Sequence, residues 1–141
     1  MRVLAVDPGE KNIGLAISDP TGTIANPLTV IKHTSRPIDA ASIAQVASEE
    51  GASLIVVGEA LDADNQPTPQ SRRAARLAAA IKEQSEHPVV LWDEGGSTQA
   101  ARRAGLEMGI SRRKRSGHLD ALAATYILQT YLDTHDTASD E

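Results

Sequence analysis

The sequence predicts an α/β domain. Its sheet is mixed and five-stranded, with the first three strands antiparallel, the others parallel, and helices on both faces. Three observations predict it. β-rich runs at 2–7, 13–18 and 23–31 are separated by turn signals of a few residues, which suits antiparallel hairpins. From residue 37 onwards, helical and strand patterns alternate, which suits right-handed crossovers. The run SLIVVG at 53–58 is almost continuously apolar, as in a strand covered on both faces.

Taken in order, RVLAVD at 2–7 is β-branched and apolar and ends at a Pro-Gly turn. IGLAIS at 13–18 is the second strand, closed by the turn signal Asp19-Pro20-Thr21-Gly22. The third, TIANPLTVI at 23–31, contains Pro27, which places it at an edge or a bulge. Residues 37–50 read as a helix, with Pro37 near its start, Gly51 past its end, and an apolar set of Ile38, Ala41, Val46 and Ala47. After the strand at 53–58 and the polar loop DADNQPTPQ, an Ala/Arg-rich helix is expected over 70–86. PVVLW at 88–92 reads as another buried strand, ending at Asp93-Glu94. Gly95-Gly96 breaks the chain, and Ser97 or Thr98 caps a helix to about Met108. SRRKRSG at 111–117 reads as a basic loop, and HLDALAATYILQTYLD as the last helix, to about Asp133. One domain over 1–133 and an acidic, disordered tail over 134–141 are expected.

The 141 residues suffice for a sizeable core, which must be aliphatic, since there is no Phe, one Trp and two Tyr. A net charge of −5 excludes a uniformly basic nucleic-acid binder but not a local basic patch. The absence of Cys excludes disulfides and thiolate metal sites. No apolar stretch approaches about 18 residues, and no charged-then-apolar leader opens the chain. A cytoplasmic protein without membrane contact is expected.

Ligand chemistry in such a sheet gathers at the carboxyl ends of the parallel strands. Asp7 ends the first strand, Glu59 follows the fourth and Glu94 follows the fifth. Asp120 lies at the start of the last helix, with Ala123, Ala124 and Ile127 as its i+3, i+4 and i+7 neighbours, on the apolar side. Each acid has an ordinary explanation: an Asp-Pro-Gly turn for Asp7, the helix dipole for Asp120, loop acids for Glu59 and Glu94. Their conjunction at strand tips and on a buried helical face points instead to a shared cation. Oxygen donors without His or Cys suit Mg²⁺ or Mn²⁺, and such ions support phosphodiester hydrolysis.

With these residues in view, the chain resembles the YqgF/RuvX family of the ribonuclease H-like superfamily, whose members are called pre-16S rRNA nucleases or Holliday junction resolvases. VDPGEKNIGLAISD, LIVVGEALDAD, WDEGGSTQAA and HLDALAATYILQTYLD carry the resemblance, over about residues 2–133. It implies a ribonuclease H-like fold and a metal-dependent nuclease acting on RNA, in pre-16S rRNA 5′-end processing, or on branched or single-stranded DNA. Asp7, Glu94 and Asp120 match the family's acidic positions.

Two departures stand out. Where the family has an Arg and an apolar residue after the Asp-Glu pair, this chain has Gly95-Gly96, so a phosphate-contacting side chain is missing. Where the family has Gly-Leu-Pro, this chain has Gly58-Glu59-Ala60, and a Glu there resembles the related RuvC resolvases. In the superfamily's strand order, Glu59 would sit about 4.8 Å from the strand of Asp7, and Glu94 about two such spacings away. Geometry favours Glu59 and motif favours Glu94.

Lys11, Arg72, Arg73 and Arg76, with Arg112, Arg113, Lys114 and Arg115, are candidate phosphate contacts. No aromatic residues interleave with them, so recognition of backbone and shape is expected. His118, two residues before Asp120, is a candidate proton shuttle or simply a cap. Two rival readings have other features. A nuclease-like fold weakened by Gly95-Gly96 would bind nucleic acid without cutting it. DPGEKNIG also resembles the first phosphate loop of sugar-kinase and actin-like ATPases, but those folds need a second such domain. Junction resolution would require paired sites and hence a dimer, which the sequence leaves open.

Overall fold

The structure is a computed structural model. It describes residues 1–93 and 112–135, with side chains in the last helix from 121 onward. The element order is β1 (Arg2–Pro8), β2 (Asn12–Ser18), β3 (Ala25–Lys32), α1 (Arg36–Glu49), β4 (Ala52–Glu59), α2 (Pro69–Gln84), β5 (Val89–Asp93) and α3 (Arg112–Thr134). The expected helix over 97–108 and the tail beyond 135 lie outside the described residues.

The strands form one five-stranded sheet in the order β3-β2-β1-β4-β5. β1 is antiparallel to β2, β2 to β3, and β1–β4 and β4–β5 are parallel, as the sequence predicts. β3 is an edge strand, and its register slips where Pro27 meets β2, since Pro offers no amide to the ladder. The β1–β2 turn is closed tightly: a Cβ on Gly9 would overlap the Asn12 carbonyl oxygen, so only glycine fits.

Side-chain alternation divides the core in two. Leu4, Val6, Ile13, Leu15, Ile55 and Val57 pack against α1 and α2, through Ile43, Leu77 and Ile81. Val3, Ala5, Ala16, Leu54 and Val56 pack against α3, through Ala124, Ile127, Leu128 and Leu132. α3 lies over β2, β3 and β1 and barely touches β4.

Four sequence expectations need correction. The buried face of α1 is Asp39, Ala40, Ile43 and Ala47, whereas Ile38 and Ala41 are exposed. Asp39 belongs to the buried face because its carboxylate is satisfied: it meets His33 Nδ1 and accepts the Thr34 amide at 3.0 Å. β5 is not buried on both faces. It is the second edge, and Val90 and Leu91, on opposite faces of it, are both exposed. Residues 112–117 are helical rather than a loop, in keeping with the high helix propensity of Arg and Lys. Glu59 is the last residue of β4 rather than the first of a loop.

The β2–β3 connection is held by Asp19, the turn residue the sequence predicts. Its carboxylate accepts the Thr23 and Ile24 amides at 2.8 and 2.9 Å and the Thr21 hydroxyl. The Ile24 amide above all, then the Thr21 hydroxyl and the Thr23 amide, hold this carboxyl well below its usual value. A folded-state value below the unfolded one contributes stability in full above about pH 4, and the contribution fades as the pH falls further. Asp19→Asn should therefore melt below wild type at neutral pH. In thermal melts taken down to about pH 2, that difference should close.

Candidate active site

Asp7 is the penultimate residue of the central strand β1 and is only 6% exposed. It shares parity with Val3 and Ala5, so it faces α3. A carboxylate in that position is costly unless something favours its charge. Its lateral neighbours are unusual. On β2 the residue opposite Asp7 is Gly14, itself opposite Val30 of β3. On β4 the Val6–Val57 pair, continued by one residue, sets Gly58 beside Asp7, and Gly58 pairs with Trp92 of β5. The row across the α3 face is thus Val30, Gly14, Asp7, Gly58, Trp92. No side chain flanks Asp7 on either neighbouring strand. Glycine inside a strand weakens it, and marks a place where something else approaches closely.

At the outer end of that row the Trp92 indole N–H donates to Thr130 Oγ1 at 3.0 Å. The indole meets Tyr131 edge-on at 5.4 Å between ring centroids, and His135 stacks on Tyr131 at 4.1 Å.

Asp120 lies on α3, one turn before Ala123 and Ala124, which are buried with Ile127 as the periodicity predicts. Because α3 starts at Arg112, Asp120 is in its third turn. The helix dipole acts within the first turn and so does not account for an acid there. The Asp120 side chain and all of Glu94 lie outside the described residues.

Glu59 is on the strand beside Asp7, as the strand order requires, but its parity is that of Ile55 and Val57, which face α1 and α2. Asp7 and Glu59 therefore project from opposite faces of the sheet. Glu59 pairs across β4–β5 with Asp93. Burial, and then the neighbouring Asp93 carboxylate, push the Glu59 carboxyl above its usual value. Among the described residues, no three His, Cys, Asp or Glu side chains converge to hold a metal ion.

The candidate cations fall into two groups. Lys11, on the β1–β2 turn, and Arg73, on the first turns of α2, line one cleft of about 680 Å³. Arg73 also reaches Glu10 Oε1 at 3.5 Å. Arg72 and Arg76 are exposed on α2. Arg112, Arg113, Lys114, Arg115 and His118 lie on the backbone of α3, and their side chains are outside the described residues. Sequence reasoning missed the His33–Asp39 pair. An Asp in the first turn of a helix is so common that only its burial distinguishes this one.

A family model described as RuvX, Holliday junction resolvase, matches residues 1–134. A Thermoanaerobacter pseudethanolicus protein named "Putative pre-16S rRNA nuclease" is 42% identical over 135 residues, covering 95% of this chain and 97% of the relative. A Myxococcus xanthus protein of the same name is 38% identical over 135 residues, covering 96% and 89%. Among solved structures, Thermus thermophilus RuvC in complex with a Holliday junction substrate superposes with a TM-score of 0.58 at 18% identity, over 96% of each chain. The fowlpox virus Holliday junction resolvase gives a TM-score of 0.58 at 17% identity, over 95% and 99%. At these identities the two structures show a shared fold.

Proposed function

The chain belongs to the RuvX family, described as Holliday junction resolvase. From that membership we propose that it is a divalent-metal-dependent nuclease whose site is built on Asp7. The observation that carries this reading is the buried Asp7 carboxylate with a glycine on each neighbouring strand, Gly14 and Gly58. The donor chemistry fits a hard cation, because Asp7, Glu94 and Asp120 offer only oxygen. Mg²⁺ or Mn²⁺ held there would activate a water and stabilise the leaving oxygen.

The course of α3 supports the inclusion of Asp120. Gln129 Oε1 accepts the Ala25 amide at 2.9 Å, Ala25 pairs with Ser18, and Ser18 Oγ accepts the Val3 amide at 2.8 Å. Gln129 is thus level with Val3. From Gln129 back to Asp120 is about 14 Å of helix, and from Val3 to Asp7 is about 13 Å of strand. Glu59 has the parity of Val57, which does not face α3, whereas Glu94 matches an acidic position of the family. Asp7, Glu94 and Asp120 are therefore the proposed ligands. Glu59 is ranked behind Glu94.

RNA is the proposed substrate, specifically 16S rRNA precursor, following the name that the relatives at about 40% identity carry. Branched DNA is the second reading, following the description of the family model. The test is a cleavage assay on RNA, single-stranded DNA and a four-way junction, each with Mg²⁺, with Mn²⁺ and with EDTA. Cleavage of RNA with either metal and none with EDTA is expected. If no substrate is cut under any condition while binding persists, the chain is a binding module and the nuclease reading fails. Glu94→Gln should abolish the cleavage, and Glu59→Gln should leave most of it.

A further inference from the structure

We infer that a second subsite for the sugar-phosphate backbone of a single strand lies on the face of the sheet away from Asp7, with Arg73 as its central phosphate contact. It rests on the nuclease reading above and specifies where the strand goes on leaving the reacting centre. Two clefts open at the rim where β1 turns into β2. One, of about 430 Å³, is bounded by His33, Arg36, Asp39 and Leu77. The other, of about 680 Å³, is bounded by Lys11, Ala60, Thr68 and Gln70. Pro8, Gly9 and Arg73 belong to both, so Arg73 stands where the two meet. Each volume is in the range that holds a small ligand, and hence about one nucleotide.

Pro8 and Gly9 directly follow Asp7, so the rim of both clefts is at most about 7 Å of chain from it. A strand held at Asp7 on the α3 face crosses the β1–β2 turn to reach them. The obligatory glycine at position 9 keeps that crossing low.

The charges suit an anion, although the chain as a whole carries −5. Lys11, Arg36 and Arg73 line the clefts. Asp39, the buried acid that lines the smaller cleft, has its charge engaged by His33 and the Thr34 amide. Glu10 is engaged with Arg73 at 3.5 Å, in a solvent-exposed pair. Such a pair is weak, and a phosphate that binds the guanidinium through two N–H groups displaces it. No Tyr or Trp lines either cleft, so the contacts are to backbone rather than to bases.

The test measures binding by fluorescence anisotropy of labelled single-stranded RNA and DNA in EDTA, across a salt series. Arg73→Gln is expected to weaken binding and to reduce the slope of log K against log salt by about 0.7, the share of one phosphate contact on a single strand. Glu10→Gln, which frees Arg73, is expected to bind about two- to fivefold more tightly. Lys82→Gln and Glu83→Gln make the same charge changes in the last turns of α2, about 14 Å from Arg73, and should shift neither value comparably. A wild-type slope in Arg73→Gln, or equal weakening in Lys82→Gln, overturns the subsite and leaves the nuclease reading standing. A wild-type chain that binds no oligonucleotide overturns both.

Discussion

Asp7→Asn should lower the cleavage rate at least about a hundredfold, the scale on which one preorganised charge at a reacting centre is lost. The substitution keeps the shape of the side chain and removes its charge. It is confined to one face of a strand that Leu4, Ala5 and Val6 anchor in the core on both faces. Melting curves should therefore remain cooperative. Single-turnover cleavage and calorimetric Mn²⁺ binding should fall together, because one carboxylate serves both. Cleavage at the wild-type rate would remove Asp7 from the site, and with it the reading built on the glycine row.

Gly58→Val should lower Mn²⁺ affinity at least about tenfold, or roughly 1.4 kcal/mol, and cleavage with it. Valine suits a strand, so the β4 ladder to β1 and β5 should persist. Its side chain would stand beside Asp7 and fill the space the glycine leaves. The new methyl groups would lie on the face that Asp7 occupies, beside the proposed metal position. The informative control is Ile55→Ala, three residues earlier in β4, on the opposite face and fully buried. It should cost about 2–5 kcal/mol of stability yet leave the metal affinity of the folded protein unchanged. If the two variants lose metal affinity alike, the glycine row has no special role.

Much of this was legible in the sequence, for identifiable reasons. The β1–β2 hairpin and the edge position of Pro27 follow from backbone chemistry that acts locally. The buried stripe of Ala123, Ala124 and Ile127 follows from helical periodicity, which tertiary packing did not disturb. What was not legible depends on partners distant in sequence. Asp39 is buried because His33 and the Thr34 amide receive it, and hydropathy alone selects Ile38 instead. PVVLW has the composition of a central strand, but only the strand order shows that it lies at the edge of the sheet. Glu59 lies beside Asp7 in strand order and yet on the other face, because a one-residue step in a strand reverses a side chain. The glycine row is invisible in sequence, since Gly14 and Gly58 become neighbours of Asp7 only through the register of two different strand pairings.

Trp92 gives the molecule an optical property. It is the only tryptophan of the chain, so its emission has a single origin. The indole bridges the β5 edge and the C-terminal half of α3, bonded to Thr130 and set against Tyr131. Any change in how α3 sits on the sheet alters the polarity and ring contacts of that one fluorophore. Emission excited at the red edge of indole absorption therefore reads the docking of α3 directly. Occupancy of the space one strand away, beside Gly58, becomes a signal that needs no attached dye.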